Sequence, residues 1–260
     1  MGSARAEGIR VAVLGLGEAG GAIAADLLAA GARVRGYDPV RDAPPGVTDT
    51  SGEADAVRGS ELVLSVNSSA ASVDALRAGL AGAGPATLWA DLNTAAPQTK
   101  RRLDEIATGH GVGFADVSLM TPVPGRGLRT PMLTSGGGAG RYAELLGPLG
   151  AEVDVLDGPA GLAAERKLLR SVFFKGLAAA VVEALEAGRA AGCEDWLREN
   201  IADELSRAGA GTVERLVEGS RRHAVRRTAE MQAAADMLTG FGVPPLVSTA
   251  SRDVLERLSR

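Results

Sequence analysis

The chain has 260 residues, of which 45% are hydrophobic and 23% charged, and its net charge is −4. This balance fits a folded globular protein of one large domain or two smaller ones and argues against long disorder. A slightly acidic chain with 3% aromatic residues lacks the basic face and the stacking platforms that nucleic acids call for.

In chain order, the first half alternates short apolar runs with helical patterns. Strands are expected at 9–14, 33–37, 61–66, 87–91 and 113–117, with further strands at 131–134 and 152–155. Helices are expected at 18–30, 71–80, 98–108 and 141–146. Strands alternating with helices imply a mostly parallel sheet with helices on both faces, a Rossmann-type α/β domain. After about residue 157 the strand signal stops. One long helix is expected at 160–191, followed by helices at 194–207, 211–225, 228–239 and 249–258. The expected domains are therefore 1–157, dinucleotide-binding, and 158–260, all-helical. The richest apolar stretch, 176–182, is stopped by Glu183 and is far too short for a membrane span.

The turn after the first strand reads Gly15-Leu16-Gly17-Glu18-Ala19-Gly20. It follows a strand, opens a helix, and is matched by Asp38 at the end of the second strand, as the dinucleotide fingerprint requires. Gly15 permits the tight turn, Gly17 lets the backbone approach a pyrophosphate, and Gly20 lets helix pack on strand. The helix N-terminus offers free N–H groups to the phosphates. Asp38 can accept hydrogen bonds from both hydroxyls of the adenine ribose and would repel a 2′-phosphate, which favours NAD. Arg35 and Arg41 lie close enough in sequence to soften that repulsion, so NADP stays open.

All but three of the 28 basic residues are arginine; the lysines are Lys100, Lys167 and Lys175. Lysine can lose its proton at usable pH and arginine cannot, so each retained lysine asks for a reason. Lys167, Ser171 and Lys175 recur at i, i+4 and i+8 and form a ridge on the long helix. Lys167 and Lys175 would stand about 12 Å apart along its axis, too far to serve one reacting atom. Leu169, Val172 and Phe173 fall on another side and read as packing residues.

The stretch Gly158-Pro-Ala-Gly161-Leu-Ala163-Ala-Glu-Arg-Lys167-Leu-Leu-Arg170-Ser171 resembles the catalytic-helix motif G-x-x-G-x-G-x-x-x-K-x-x-x-N of the β-hydroxyacid dehydrogenases. Ala163 stands where that motif has glycine, and Ser171 where it has asparagine. Asp91-Leu-Asn93-Thr94-Ala-Ala-Pro97 is similar to the family's D-x-S-T-x-x-P segment. Ser65-Val66-Asn67-Ser68 sits where its cofactor loop after a strand would be. Asp116-Val-Ser-Leu-Met120-Thr121-Pro122 falls on the D-A-P-V-S-G-G substrate segment, with Met120-Thr121-Pro122 in place of Ser-Gly-Gly. These departures, and a segment like Arg222–Met231, resemble a less characterised branch related to 6-phosphogluconate dehydrogenase with a short helical C-terminal domain.

The resemblance implies an NAD(P)-dependent dehydrogenase acting on a small hydroxy acid, or reducing the matching semialdehyde or keto acid. Decarboxylation would follow where the product is a β-keto acid. Lys167 would be the general acid/base, with its ammonium partly desolvated so that its pKa falls. Ser171 would replace the family asparagine as a substrate donor. Met120 and Thr121 would line the substrate pocket, and Asn67, Ser68, Asn93 and Thr94 would lie beside the cofactor. Arg170 and Lys175 would press on the Lys167 charge or bind a distal anionic group. His223 and Arg227, with the Arg226–Glu230 pair, suggest an anion clamp on a later helix. Imine reductases share the scaffold but usually carry Asp, Tyr or another residue at the Lys167 position, which makes imine reduction the second reading. A non-catalytic dinucleotide sensor is the third.

The remaining signals are weaker. Two histidines, His110 and His223, and one cysteine, Cys193, give no metal motif and no disulfide framework. His110 reads as a surface residue and Cys193 as a packed small one. Residues 1–6 carry no apolar signal core, which points to the cytoplasm. A helical domain of about 100 residues has little core of its own, so a homodimer paired through it is expected.

Overall fold

A computed structural model describes residues 8–260; the targeting reading of residues 1–6 lies outside them. By proximity along the backbone the chain divides into two compact units, Met1–Arg170 and Ser171–Arg260.

The first unit is an eight-stranded sheet. Its strands are β1 (Arg10–Leu14), β2 (Arg33–Tyr37), β3 (Thr48–Asp49), β4 (Leu62–Ser65), β5 (Leu88–Asp91), β6 (Gly113–Leu119), β7 (Met132–Ser135) and β8 (Val153–Val155). They lie in the order β3-β2-β1-β4-β5-β6-β7-β8. All pairs are parallel except β6–β7. The exception follows from the link between them. Residues 120–131 hold only a 3-10 turn, Gly127–Arg129, and a parallel return needs a helical crossover. The strand order reverses between β1 and β4, and such a switch point opens a crevice at the carboxyl ends of the strands.

Alternate residues of each strand feed two cores. Val11, Val13, Leu62, Leu64, Ala90 and Val117 face α1 (Glu18–Ala29) and α5 (Ala139–Leu146). Ala12, Leu14, Val63, Trp89 and Phe114 face α2 (Glu53–Val57), α3 (Ser72–Leu80) and α4 (Pro97–Gly109). This is the two-residue period of a sheet buried on both sides. Pro97 opens α4, where its missing N–H costs nothing.

The helix α6 (Leu162–Ala190) crosses the boundary between the units, and α7 (Glu194–Ser206), α8 (Thr212–Arg222), α9 (Ala224–Gly240) and α10 (Leu246–Leu258) complete the second. The expected helix over 211–225 ends three residues early. His223 closes α8 and opens α9.

Within the second unit, Glu183 of α6 takes the place of an N-cap for α10. Its carboxylate accepts hydrogen bonds from Val247 N at 2.6 Å, Ser248 N at 2.8 Å and Ser248 Oγ at 2.6 Å. Burial pushes this carboxyl up, but the Ser248 hydroxyl and the helix amides outweigh it and hold it below the usual range. The stabilisation it gives is therefore complete above the unfolded pKa of about 4.3 and is lost as pH falls through the lower folded value. Glu183→Ala should cost about 2 kcal/mol at neutral pH, since charged hydrogen bonds to a helix end are lost. The deficit should shrink below pH 4, as read by urea denaturation at pH 7 and pH 3.5.

Candidate active site

The crevice at the switch point is built from backbone. Gly15 ends β1 with φ +94°, and its N–H donates to Tyr37 O at 2.8 Å. A Cβ there would stand 2.7 Å from the backbone of Val66 and Asn67. A Cβ on Gly20 would stand 1.9 Å from Gly15 O, whereas one on Gly17 would meet nothing within 4 Å. Two glycines are thus needed to close the turn, and the third borders open space. Gly17 caps α1, and no side chain bonds the first turn. Its N–H groups are therefore available to an anion, and Leu16 is buried beneath them. Glu18 is exposed and Ala19 half-buried.

Asp38 organises the far side of the turn. One carboxylate oxygen accepts from Leu16 N at 2.8 Å, and the other from Val40 N at 2.9 Å and Arg41 N at 3.1 Å. Burial raises its pKa, but the amides of Val40, Leu16 and Arg41 and the Arg41 charge together hold it below the ordinary value. A fixed anion here suits a ribose diol and repels a phosphate. Arg41 itself is exposed. An uncapped helix end, an opening at Gly17 and an acid after β2 together fit a dinucleotide.

The loops after β4 and β5 lie side by side. Asn93 is buried, and its amide donates to Asp91 Oδ2 at 2.8 Å and to Asn67 Oδ1 at 2.8 Å. The same Asn67 oxygen accepts from Ser68 N at 2.9 Å, and Ser68 is exposed. Thr94 follows on the surface, where its Oγ1 accepts a hydrogen bond from Lys167 Nζ at 2.8 Å. Lys167 is half-buried. The long helix therefore delivers an amine to the loop after β5.

The start of that helix is tied to the sheet. Asp116 Oδ2, on β6, accepts from Gly161 N at 3.0 Å and Ala164 N at 3.1 Å. Ser135 Oγ, on β7, accepts from Ala163 N at 3.0 Å. Beneath them Lys100 is fully buried. Its Nζ lies 2.7 Å from Asp91 Oδ1, 2.7 Å from Asp91 O and 3.2 Å from Asp116 Oδ1. Reading the sequence marked Lys100 as a retained lysine but gave it no role, and did not single out Ser135 or this cluster. The one available signal was the survival of a lysine in an arginine-rich chain.

Met120 and Thr121 are half-buried in the loop after β6. Thr121 Oγ1 is shielded from solvent and has no hydrogen-bond partner. This loop is pinned to α1, where Asp26 Oδ2 accepts from Leu128 N at 2.8 Å. Further along α6, Arg170 is exposed, Ser171 half-buried and Lys175 exposed.

Of the other expected positions, some come out differently. Leu169, Val172 and Phe173 are not packed within the chain but exposed. Cys193 is exposed at the start of α7, because a helix cap lies at the surface. Arg226 and Glu230 form the expected ion pair at 3.5 Å. His223 sits exposed in the bend between two helices, and the Arg227 guanidinium reaches back to Ser220 Oγ at 3.0 Å. His110 lies on the surface, bonded to Ile106 O. Among the described residues no group of His, Cys, Asp and Glu side chains could hold a metal ion, and no helix is long and apolar enough to cross a membrane.

Comparison with known proteins agrees with this geometry. Residues 10–129 match the NAD binding domain of 6-phosphogluconate dehydrogenase, and residues 189–258 match a domain of unknown function, DUF1932. A 3-hydroxyisobutyrate dehydrogenase of Pseudomonas aeruginosa is 29% identical over 213 residues, covering 77% of this chain and 70% of its own. An NAD-dependent L-serine dehydrogenase of the same organism is 26% identical over 214 residues, covering 78% and 70%. In fold, the chain is similar to an imine reductase from Myxococcus stipitatus solved with NADP+, with a TM-score of 0.81 at 17% identity over 95% of this chain and 93% of that one. The fold and the glycine turn define an NAD(P)-binding oxidoreductase. More closely, the matches support the β-hydroxyacid dehydrogenase and 6-phosphogluconate dehydrogenase-like superfamily, and the relatives matched over most of the chain are named dehydrogenases.

Proposed function

We propose that this enzyme interconverts a small, anionic hydroxy acid and its semialdehyde or keto acid, with Lys167 as the general acid/base. The bound nicotinamide supplies the hydride acceptor, or the donor in reverse. Lys167 takes the substrate's hydroxyl proton during oxidation and returns it during reduction. The observation that carries this reading is the 2.8 Å contact from Lys167 Nζ to Thr94 Oγ1, which fixes the amine beside the loop after β5. The unpartnered Thr121 hydroxyl is the donor for a substrate carboxylate, with Met120 setting the shape of that pocket. Arg170, in the same unit as Lys167, presses on its charge, and Ser171 and Lys175 follow further along α6. Asn67, Ser68, Asn93 and Thr94 border the cofactor. Asp38 supports NAD over NADP.

The decisive experiment is a panel of hydroxy acids read by NADH absorbance, run with NAD and with NADP. Turnover of at least one small hydroxy acid, with NAD preferred, is expected. Reduction of cyclic imines with no hydroxy acid oxidised would transfer the reading to imine reduction. Tight NADH binding with no turnover of either class would leave a dinucleotide sensor.

The apolar surface of the second unit supports a homodimer. In about 90 residues it buries the apolar side chains of Ala187, Ala224, Ala235, Leu238 and Leu255. Meanwhile Val172 (75% exposed), Trp196 (64%), Val225 (75%) and Leu246 (75%) face outward. So small a core does not hold a unit of that size, and a second copy offers matching apolar surface. Sedimentation at micromolar concentration should return twice the chain mass. A stable monomer would overturn the dimer.

A further inference from the structure

Asp91 and Asp116 face each other in register on the parallel pair β5–β6, and both are fully buried. Two carboxylates side by side in a sheet interior repel each other and are costly. Lys100 answers that cost from α4, with its ammonium 2.7 Å from one acid and 3.2 Å from the other. Its third contact, at 2.7 Å, is the Asp91 carbonyl. Both Lys100 hydrogen bonds go to Asp91, while Asp116 Oδ1 meets the ammonium as an ion pair without a hydrogen bond; a compact point charge suits this pocket, and a planar guanidinium fork does not. That accounts for a lysine in a chain that otherwise uses arginine.

Each acid spends its remaining oxygen on the machinery around Lys167. Asp91 Oδ2 holds Asn93 at 2.8 Å, the residue before the Thr94 that receives the Lys167 amine. Asp116 Oδ2 holds the amide of Gly161, just before α6, and that of Ala164, in its first turn and three residues before Lys167. The buried cluster therefore grips Lys167 twice, by its backbone and by its hydrogen-bond acceptor.

We propose that Lys100 is a positioning residue that fixes the Lys167 amine, acting through Asp116 on the first turn of α6 and through Asp91 and Asn93 on Thr94. Its consequence for catalysis rests on the reading of Lys167 as the proton-transfer group. Without the Lys100 cation the two acids part or share a proton, and the helix start and the β5 loop lose their common anchor. A misplacement of about 1 Å in such a group costs roughly a hundredfold in rate.

The test exploits the scarcity of lysine. Trace acetylation with acetic anhydride at pH 8, followed by peptide mass spectrometry, reads the Lys167 amine with exposed Lys175 as internal standard. In the folded Lys100→Met variant, checked by circular dichroism and NADH binding, the Lys167 to Lys175 labelling ratio should rise about fivefold, the equivalent of one lost hydrogen bond. Turnover on the accepted substrate should fall about a hundredfold with cofactor affinity retained. Should Lys100→Met fail to fold, Asp116→Asn is nearly isosteric, keeps Lys100 on Asp91, and should raise the ratio in the same direction. An unchanged ratio in a folded variant overturns the proposal, because a cluster that served stability alone would not move the amine. A raised ratio with undiminished turnover keeps the positioning role and removes Lys167 from the chemistry.

Discussion

Lys167→Met should lower kcat on the accepted hydroxy acid by about a thousandfold, within the 10²–10⁴ range of a lost general acid/base. Methionine keeps the length and apolar stem of the side chain, so packing along α6 is largely preserved. It cannot carry a proton. Binding of NADH should be unchanged, because the glycine turn joins β1 to α1 and Asp38 follows β2, and neither lies on α6. The loss corresponds to about 4 kcal/mol at the transition state. Thr94→Ala should act in the same direction but more weakly, about tenfold, since it removes one neutral acceptor from the amine and leaves the proton in place. Stopped-flow NADH formation and equilibrium fluorescence titration separate the two quantities. Turnover of Lys167→Met within tenfold of the parent would remove the lysine from the chemistry.

The glycine turn was legible in the sequence because its physics is local. The three glycines and Asp38 fall within 24 residues, and the needs of a tight turn, a close approach and an acid after β2 are written in residue types. The strands were legible for the same reason, as apolar runs bounded by turn residues. The sheet's outer additions were not: β3 spans two residues and α2 five, too short for any periodicity to register. The lysine cluster was invisible for another reason. Asp91, Lys100 and Asp116 share no helical or strand period, and only the β5–β6 register brings the two acids together. The apolar face of α6 misled in a third way. Its period of hydrophobic residues was real, but a pattern states only that a face seeks cover and not where the cover comes from. In the single chain, Val172 and Phe173 stay mostly exposed, with the Phe173 ring meeting that of Phe174.

Gly20→Ala and Gly17→Ala should separate the two demands made on the turn. At Gly20 a methyl would stand 1.9 Å from Gly15 O. Backbone cannot yield cheaply there, so α1 must lift from β1, at a cost of about 3 kcal/mol by the measure of overpacked cores. The lift also carries the free amides of the first turn away from their target, so NADH binding should fall with stability. At Gly17 the backbone has φ −64° and a methyl meets no atom. Alanine is allowed there, and stability should stay within about 0.5 kcal/mol of the parent. Yet this is the position through which a pyrophosphate reaches the helix end, and affinity for NADH should drop at least about tenfold, or 1.4 kcal/mol. Denaturant midpoints and fluorescence titration of the two variants give four numbers. If Gly17→Ala binds NADH as the parent does, the phosphates do not approach the helix at this residue, and the open space beside it is ordinary surface.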